Sequence, residues 1–306
     1  MITKELPLII FTILAQMSVG AFLVLGAVHL YVKRKTDDIE ADRMSDRALL
    51  AIIVTLGLGL LASLFHLGNP IDSPRAITNL ATSWLSREIA FGVGFGVLGV
   101  AFAAMQWFKW GSFKIRNSVA WLAGIVGVGL IYCMSRAYMI PNQPAWNSLA
   151  TPISFYATAL LLGSLALGVA FFVNYTIIQR KNPDCADCQG ELLRDVLGYL
   201  SVLAIIMLGV EFVTIPVYLA SLASQGGAAL TSVNLMIGTF SATFILRLVL
   251  AFVGAGVFGA FIFQSVKQGV AVNKLGALAT SAFLLVFVAE VLGRILFYAT
   301  RVSSGL

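Results

Sequence analysis

Eight apolar runs, each about as long as the hydrocarbon core of a bilayer is thick, set the terms for this chain. They cover 6–32, 47–67, 88–107, 118–139, 152–175, 193–220, 240–266 and 275–300, and a helix needs roughly 20 apolar residues to cross a bilayer. Lipid offers no hydrogen bonds to a backbone, so runs of this length must satisfy their own, which a helix does. Charged residues make up 11% of the chain, where a soluble domain carries about 25%. The fold class is therefore all-α, a polytopic membrane protein built as a bundle of eight transmembrane helices. No soluble domain fits between the runs, so residues 1–306 read as a single integral-membrane domain. The first run lacks a small-residue cleavage site and reads as a retained helix rather than a signal peptide.

Orientation follows from lysine and arginine. Alternate connections hold Lys33, Arg34, Lys35, Arg43 and Arg47; Lys109, Lys114 and Arg116; Arg180, Lys181 and Arg194; and Lys267 and Lys274. The other side holds fewer, namely Lys4, Arg75, Arg87, Arg136 and Arg301. Basic loops stay in the cytoplasm, which places both termini on the outer, periplasmic side. The net charge of +6 thus reports topology and gives no sign of nucleic-acid binding. Trp84, Trp107, Trp110, Trp121 and Trp146 all fall near run ends, where an aromatic belt would lie.

The ionisable residues that remain in or at the ends of the runs share a level. His66 ends the second run, Arg87 and Glu88 open the third, and Arg136 nearly ends the fourth. Glu211, Arg247, Glu290 and Arg294 interrupt the sixth, seventh and eighth. With the exception of His29, all fall in the outer half. Intramembrane charge is costly and marks function or a buried pair. Glu290 and Arg294 are four apart in the favourable order for an ion pair along one helix face, and Glu211 with Arg247 suits a similar pair between helices.

His66 and Glu88 also have plainer readings. A histidine in a last turn, before Gly68 and Pro70, and a carboxylate in a first turn both suit the helix dipole. As a pair at one membrane face they suit quinol oxidation, which needs one group to hydrogen-bond a hydroxyl and one to accept a proton. A bis-histidine haem is excluded, because His29 and His66 lie at opposite ends of their runs, roughly 30 Å apart. Cys185 and Cys188 form a C-x-x-C in a cytoplasmic loop with no further Cys or His near them to complete a metal site. The strings 94–99 and 254–259 match G-x-G-x-x-G, but inside transmembrane runs. Their glycines suit close helix packing, as do Gly92 and Gly96 at small-xxx-small spacing.

Several short motifs carry a family resemblance by their order. They are the stretch from Glu5 to Thr12 followed by Gln16; His66-Leu67-Gly68-Asn69-Pro70; Arg87-Glu88-Ile89-Ala90; Arg136 with Tyr138; Trp146; Thr151-Pro152; Glu290-Val291-Leu292-Gly293-Arg294; and Phe297-Tyr298. Over nearly its whole length the protein resembles the membrane-anchor subunit of bacterial dimethyl sulfoxide reductases. That resemblance implies a place in the bacterial cytoplasmic membrane and a complex with two partners. One is a molybdopterin catalytic subunit, the other an electron-transfer subunit bearing iron–sulfur clusters. It implies menaquinol as substrate and neither haem nor metal in the anchor. The family's quinol-site histidine matches His66, and its nearby glutamate matches Glu88, here preceded by Arg87.

The expectation is an anchor that oxidises menaquinol at His66 and Glu88, with Arg87 and Arg136 at the site. Glu211, Arg247, Glu290 and Arg294 would support it or line a proton exit. Two other readings stay open: a passive anchor whose charges only hold the bundle together, and a transporter, although no inverted repeat is evident.

Overall fold

The computed structural model describes residues 2–36, 38–64, 78–181 and 186–305. Those residues form helices and connecting turns. The long helices are α1 (Ile2–Lys35), α2 (Asp38–Leu64), α3 (Trp84–Trp107), α4 (Phe113–Tyr138), α5 (Ala150–Lys181) and α6 (Ala186–Gln225). A short α7 (Gly227–Asn234) leads through a π-helical turn, Leu235–Thr239, into α8 (Ser241–Ala251). A second π-helical turn, Phe252–Phe258, joins α8 to α9 (Gly259–Lys267), and α10 (Val272–Ala299) completes the bundle. Among the described residues, eight spans are long and apolar enough to cross a membrane: α1 to α6, the α8–α9 unit and α10.

Most of these helices outrun the apolar stretches that reveal them. Helix α2 begins at Asp38, and α6 extends from Ala186 to Gln225 through Pro216. Hydropathy marks only the length in lipid, whereas the hydrogen-bonded ladder continues into the interface, where charged side chains are solvated. The third and fourth spans start at serine caps: Ser83 accepts from the Ser86 amide and Ser112 from the Ile115 amide, satisfying donors that the first turn leaves free.

The bundle is tied at each end. At one end Glu5 and Arg301 pair at 3.0 Å, so the two terminal segments meet there. At the other, Lys35 pairs with Asp195 at 2.7 Å, and Lys109 with Asp42 at 2.7 Å and Asp46 at 3.3 Å. Gln106 and Arg116 join the same network, and Asn174 links Arg47 to the backbone of Arg43. His29 bonds Ser45 at 3.1 Å at this second end.

The tightest crossing lies between α1 and α5. A Cβ on Gly20 would sit 1.8 Å from the Ala159 carbonyl oxygen, and one on Gly163 would sit 2.3 Å from the Ala21 amide nitrogen. Bare backbone is what lets two helices approach this closely in a membrane. Gly92 and Gly96, the pair expected to do this, do not: added Cβ atoms there would meet side chains at ordinary distances of 3.7 and 3.5 Å. Gly254 does pack closely, against Val286 and the Ala282 carbonyl. Trp107, Trp110 and Trp121 are exposed as belt residues should be, but Trp146 is 7% exposed and belongs to the interior.

Candidate functional site

The end of the bundle that holds the termini is roofed by the 139–149 loop. Hydrogen bonds tie it to the helices and to the C-terminal segment. Tyr218 donates to the Ala145 carbonyl at 2.8 Å, Thr151 donates to the Trp146 carbonyl at 2.8 Å, and Trp146 Nε1 donates to the Phe297 carbonyl at 2.8 Å. The Ser304 amide donates to the Asn142 carbonyl at 3.0 Å. Trp146 stacks on Phe297, and Tyr138, Phe155 and Tyr298 pack edge-on around them. Edge-to-face packing suits the aromatic quadrupole. The Tyr138 and Tyr298 hydroxyls are hydrogen-bonded to each other within this cluster.

Glu88 lies one turn into α3 and is 7% exposed. Among the described residues its carboxyl group has neither a hydrogen bond nor an ion pair. A buried carboxyl left in this state is costly. Its neighbour in sequence does not compensate it: Arg87 turns the other way, donating to the carbonyls of Leu80 and Ala81 at 2.7 Å each. The Arg87 and Arg136 guanidinium groups both lie over the Trp84 ring, 4.3 and 5.2 Å from its centroid. One tryptophan thus brings these two arginines together at the head of α3 and the end of α4, and Arg136 Nε is buried there without an acceptor among the described residues. His66 lies outside the described residues.

Deeper in the bundle, Glu211 on α6 and Glu290 on α10 are each 3% exposed. Thr158 on α5 bridges them, with its hydroxyl 2.6 Å from Glu290 and 3.4 Å from Glu211. Arg247 on α8 lies 3.3 Å from Glu211 and 3.8 Å from Glu290. The i, i+4 pair expected between Glu290 and Arg294 does not form. Arg294 donates instead to Gln16 on α1 at 2.8 Å, and its guanidinium lies 4.1 Å from the Phe155 ring centroid. Gly293 explains the exchange. A Cβ there would stand 2.5 Å from Arg247 Nε, so the missing side chain lets Arg247 lie across α10 and take the partner that Arg294 would otherwise have.

Gln16, the stretch with Tyr138, Trp146 and Thr151, and the stretch with Glu290, Arg294 and Tyr298 are far apart in the sequence, yet they converge on this one end of the bundle. The family model for the DMSO reductase anchor subunit (DmsC) matches residues 1–300. The protein belongs to the DMSO reductase anchor subunit family. The C subunit of the anaerobic dimethyl sulfoxide reductase of Haemophilus influenzae is 32% identical over 176 residues, which is 55% of this protein and 59% of that one. Two Escherichia coli relatives align almost end to end. The YnfH subunit of an anaerobic dimethyl sulfoxide reductase is 27% identical over 306 residues, and the C subunit of an anaerobic dimethyl sulfoxide reductase is 28% identical over 305. Each of these comparisons covers 99% of this protein and 96% of the relative. The protein is a multi-pass anchor subunit of the bacterial inner membrane.

Within this anchor subunit, the structure brings together Glu211, Arg247 and Glu290 in one cluster, and Arg87 with Arg136 in another. Arg294 lies over Phe155 and Phe297, and Phe297 packs edge-on against both tyrosines. Sequence reasoning missed Thr158, because a threonine inside an apolar run is unremarkable until its hydroxyl is seen between two carboxylates. It also read 240–266 as one regular helix. The π-helical turns at Leu235–Thr239 and Phe252–Phe258 flank the α-helical segment that carries Arg247, and such turns frequently accompany functional positions in helices. Gly238, Gly254 and Gly256 were the signal that could have pointed to them. Of the C-x-x-C cysteines, Cys185 lies outside the described residues and Cys188 is exposed.

Proposed function

We propose that this anchor subunit oxidises menaquinol beside Glu88 and passes the electrons to an iron–sulfur partner subunit, which feeds a molybdopterin catalytic subunit. The observation that carries the reading is Glu88 itself: buried, and without a polar partner among the described residues. A carboxyl group in that position is supported by what it binds, and a quinol hydroxyl is a donor it would accept. His66 holds the other hydroxyl, and Glu88 takes a proton as the quinol is oxidised. The aromatic cluster of Tyr138, Trp146 and Phe297 suits a naphthoquinol ring, and Arg87 and Arg136 keep positive charge near the head of the site.

The sequence has three cysteines, fewer than the four thiolates of a conventional cluster, so the electron acceptor belongs to a partner. With both termini on the periplasmic side, as the basic loops imply, the partners dock at that face and the protons leave there. The assembled complex tests the site. His66→Gln and Glu88→Gln are each expected to abolish most menaquinol oxidation while assembly persists. Wild-type rates in both variants would rule the site out.

A further inference from the structure

We propose that the Glu211–Glu290 pair is a proton-transfer station, distinct from Glu88, that carries quinol-derived protons to the face holding the termini. This rests on the quinol reading above. Four observations support it. The two carboxyl groups share the Thr158 hydroxyl and the Arg247 guanidinium. They line a cavity of about 100 Å³, enough to hold water where polar partners are present. Glu290 Oε1 is fully buried in that lining yet accepts no hydrogen bond among the described residues, whereas a purely structural ion pair satisfies its buried oxygens. The lining continues through Thr151 and Ser154 to Ala145 and Ala150, so the cavity reaches toward the 139–149 roof rather than the opposite end.

The same side chains connect this cavity to the quinol site. Arg294 lines it, and its guanidinium lies over the Phe155 and Phe297 rings, 4.1 and 5.5 Å from their centroids. Phe297 in turn packs edge-on against Tyr138 and Tyr298, whose hydroxyls are hydrogen-bonded to each other in the aromatic cluster of the proposed quinol site. The charged and titratable groups facing the carboxyl pair are therefore Arg247 from α8, Arg294 from α10 and Tyr218 from α6, with Thr158 from α5 as a neutral partner. Each quinol loses two O–H protons and two electrons as it becomes quinone. The electrons leave to the partner subunit's iron–sulfur cluster, and the protons pass from Glu88 through the carboxyl pair and the cavity to water.

The test uses the assembled complex in liposomes, driven by a water-soluble menaquinol analogue. Glu290→Gln, Glu211→Gln and Thr158→Val are compared with Glu88→Gln for turnover, KM and pH profile. The expected result is a fall in turnover of about tenfold or more, approaching the range typical of a lost proton-transfer group. KM is expected to stay near wild type and the pH profile to change shape. Glu290→Asp, which keeps the acid, is expected to restore part of the rate. Wild-type turnover and pH profile in the Gln variants would overturn the station while leaving the Glu88 site intact. If Glu88→Gln is also unaffected, the quinol reading falls with it. Should Glu290→Gln fail to assemble, Thr158→Val decides, since it removes only the shared hydroxyl; an unchanged pH profile there refutes the proposal.

Discussion

Gly163→Ala adds one methyl group at the α1–α5 crossing, and its effect can be worked from the geometry. The new Cβ would stand 2.3 Å from the Ala21 nitrogen and 2.4 Å from the Gly20 carbonyl carbon, where ordinary contact begins at 3.4 Å. Both neighbours are backbone, so no rotamer change can relieve the clash, and the helices must separate by about 1 Å. A gap of that size forfeits a quarter to a half of each contact's dispersion energy, along a seam that includes Ile13, Met17, Leu161 and Leu165. Overpacking of this kind costs typically about 1–3 kcal/mol, and backbone-against-backbone contact places this case at or above the upper end. The same displacement loosens the 2.8 Å Arg294–Gln16 bond and the 2.6 Å Thr158–Glu290 bond, since Gln16 and Thr158 lie beside the crossing on α1 and α5. Thermal unfolding of the purified complex in detergent measures the stability, and menaquinol oxidation measures the site. Gly20→Ala, with its 1.8 Å contact, is expected to be worse still. Gly92→Ala and Gly96→Ala are expected to be nearly neutral. Equal melting temperatures for all four variants and wild type would refute the account of the crossing.

Two further tests address the charges and the topology. Arg247→Met strands two carboxylates that are each 3% exposed. Removing one partner of a buried ion pair costs about 3–5 kcal/mol, so chemical denaturation should show a large loss, partly recovered by adding Glu211→Met. No loss in the single variant would mean that the cluster is hydrated well enough not to need the arginine. For topology, Ser304→Cys and Lys109→Cys lie at opposite ends of the bundle. A membrane-impermeant thiol reagent applied to intact cells should reach the first and not the second. The reverse pattern would invert the orientation and with it the docking face of the partners.

Much of this protein was legible in its sequence. The eight spans follow from hydropathy alone, because a lipid-exposed backbone leaves no alternative to helix over such lengths. That Glu88, Arg136, Glu211, Arg247, Glu290 and Arg294 all lie toward one end of the bundle follows from counting along those spans. Glu88 was legible as a site candidate for the same reason: a carboxyl at a helix head in an apolar run stands out in one dimension.

Partner choice was decided by tertiary structure. Glu290 and Arg294 have the spacing of an ion pair, yet Arg247 reaches Glu290 from another helix because Gly293 leaves room for it. Gly92 and Gly96 have the spacing of a packing motif, yet Gly20 and Gly163 make the close crossing. The reason is common to both. Soluble helices show their buried face by an apolar stripe, but these helices are apolar all round, so their rotation about the axis leaves no trace in hydropathy. Sequence determined how many helices are long and apolar enough to cross the membrane and toward which end of them the charges lie. Only the packed bundle determined which way each helix turns, and therefore which charges meet.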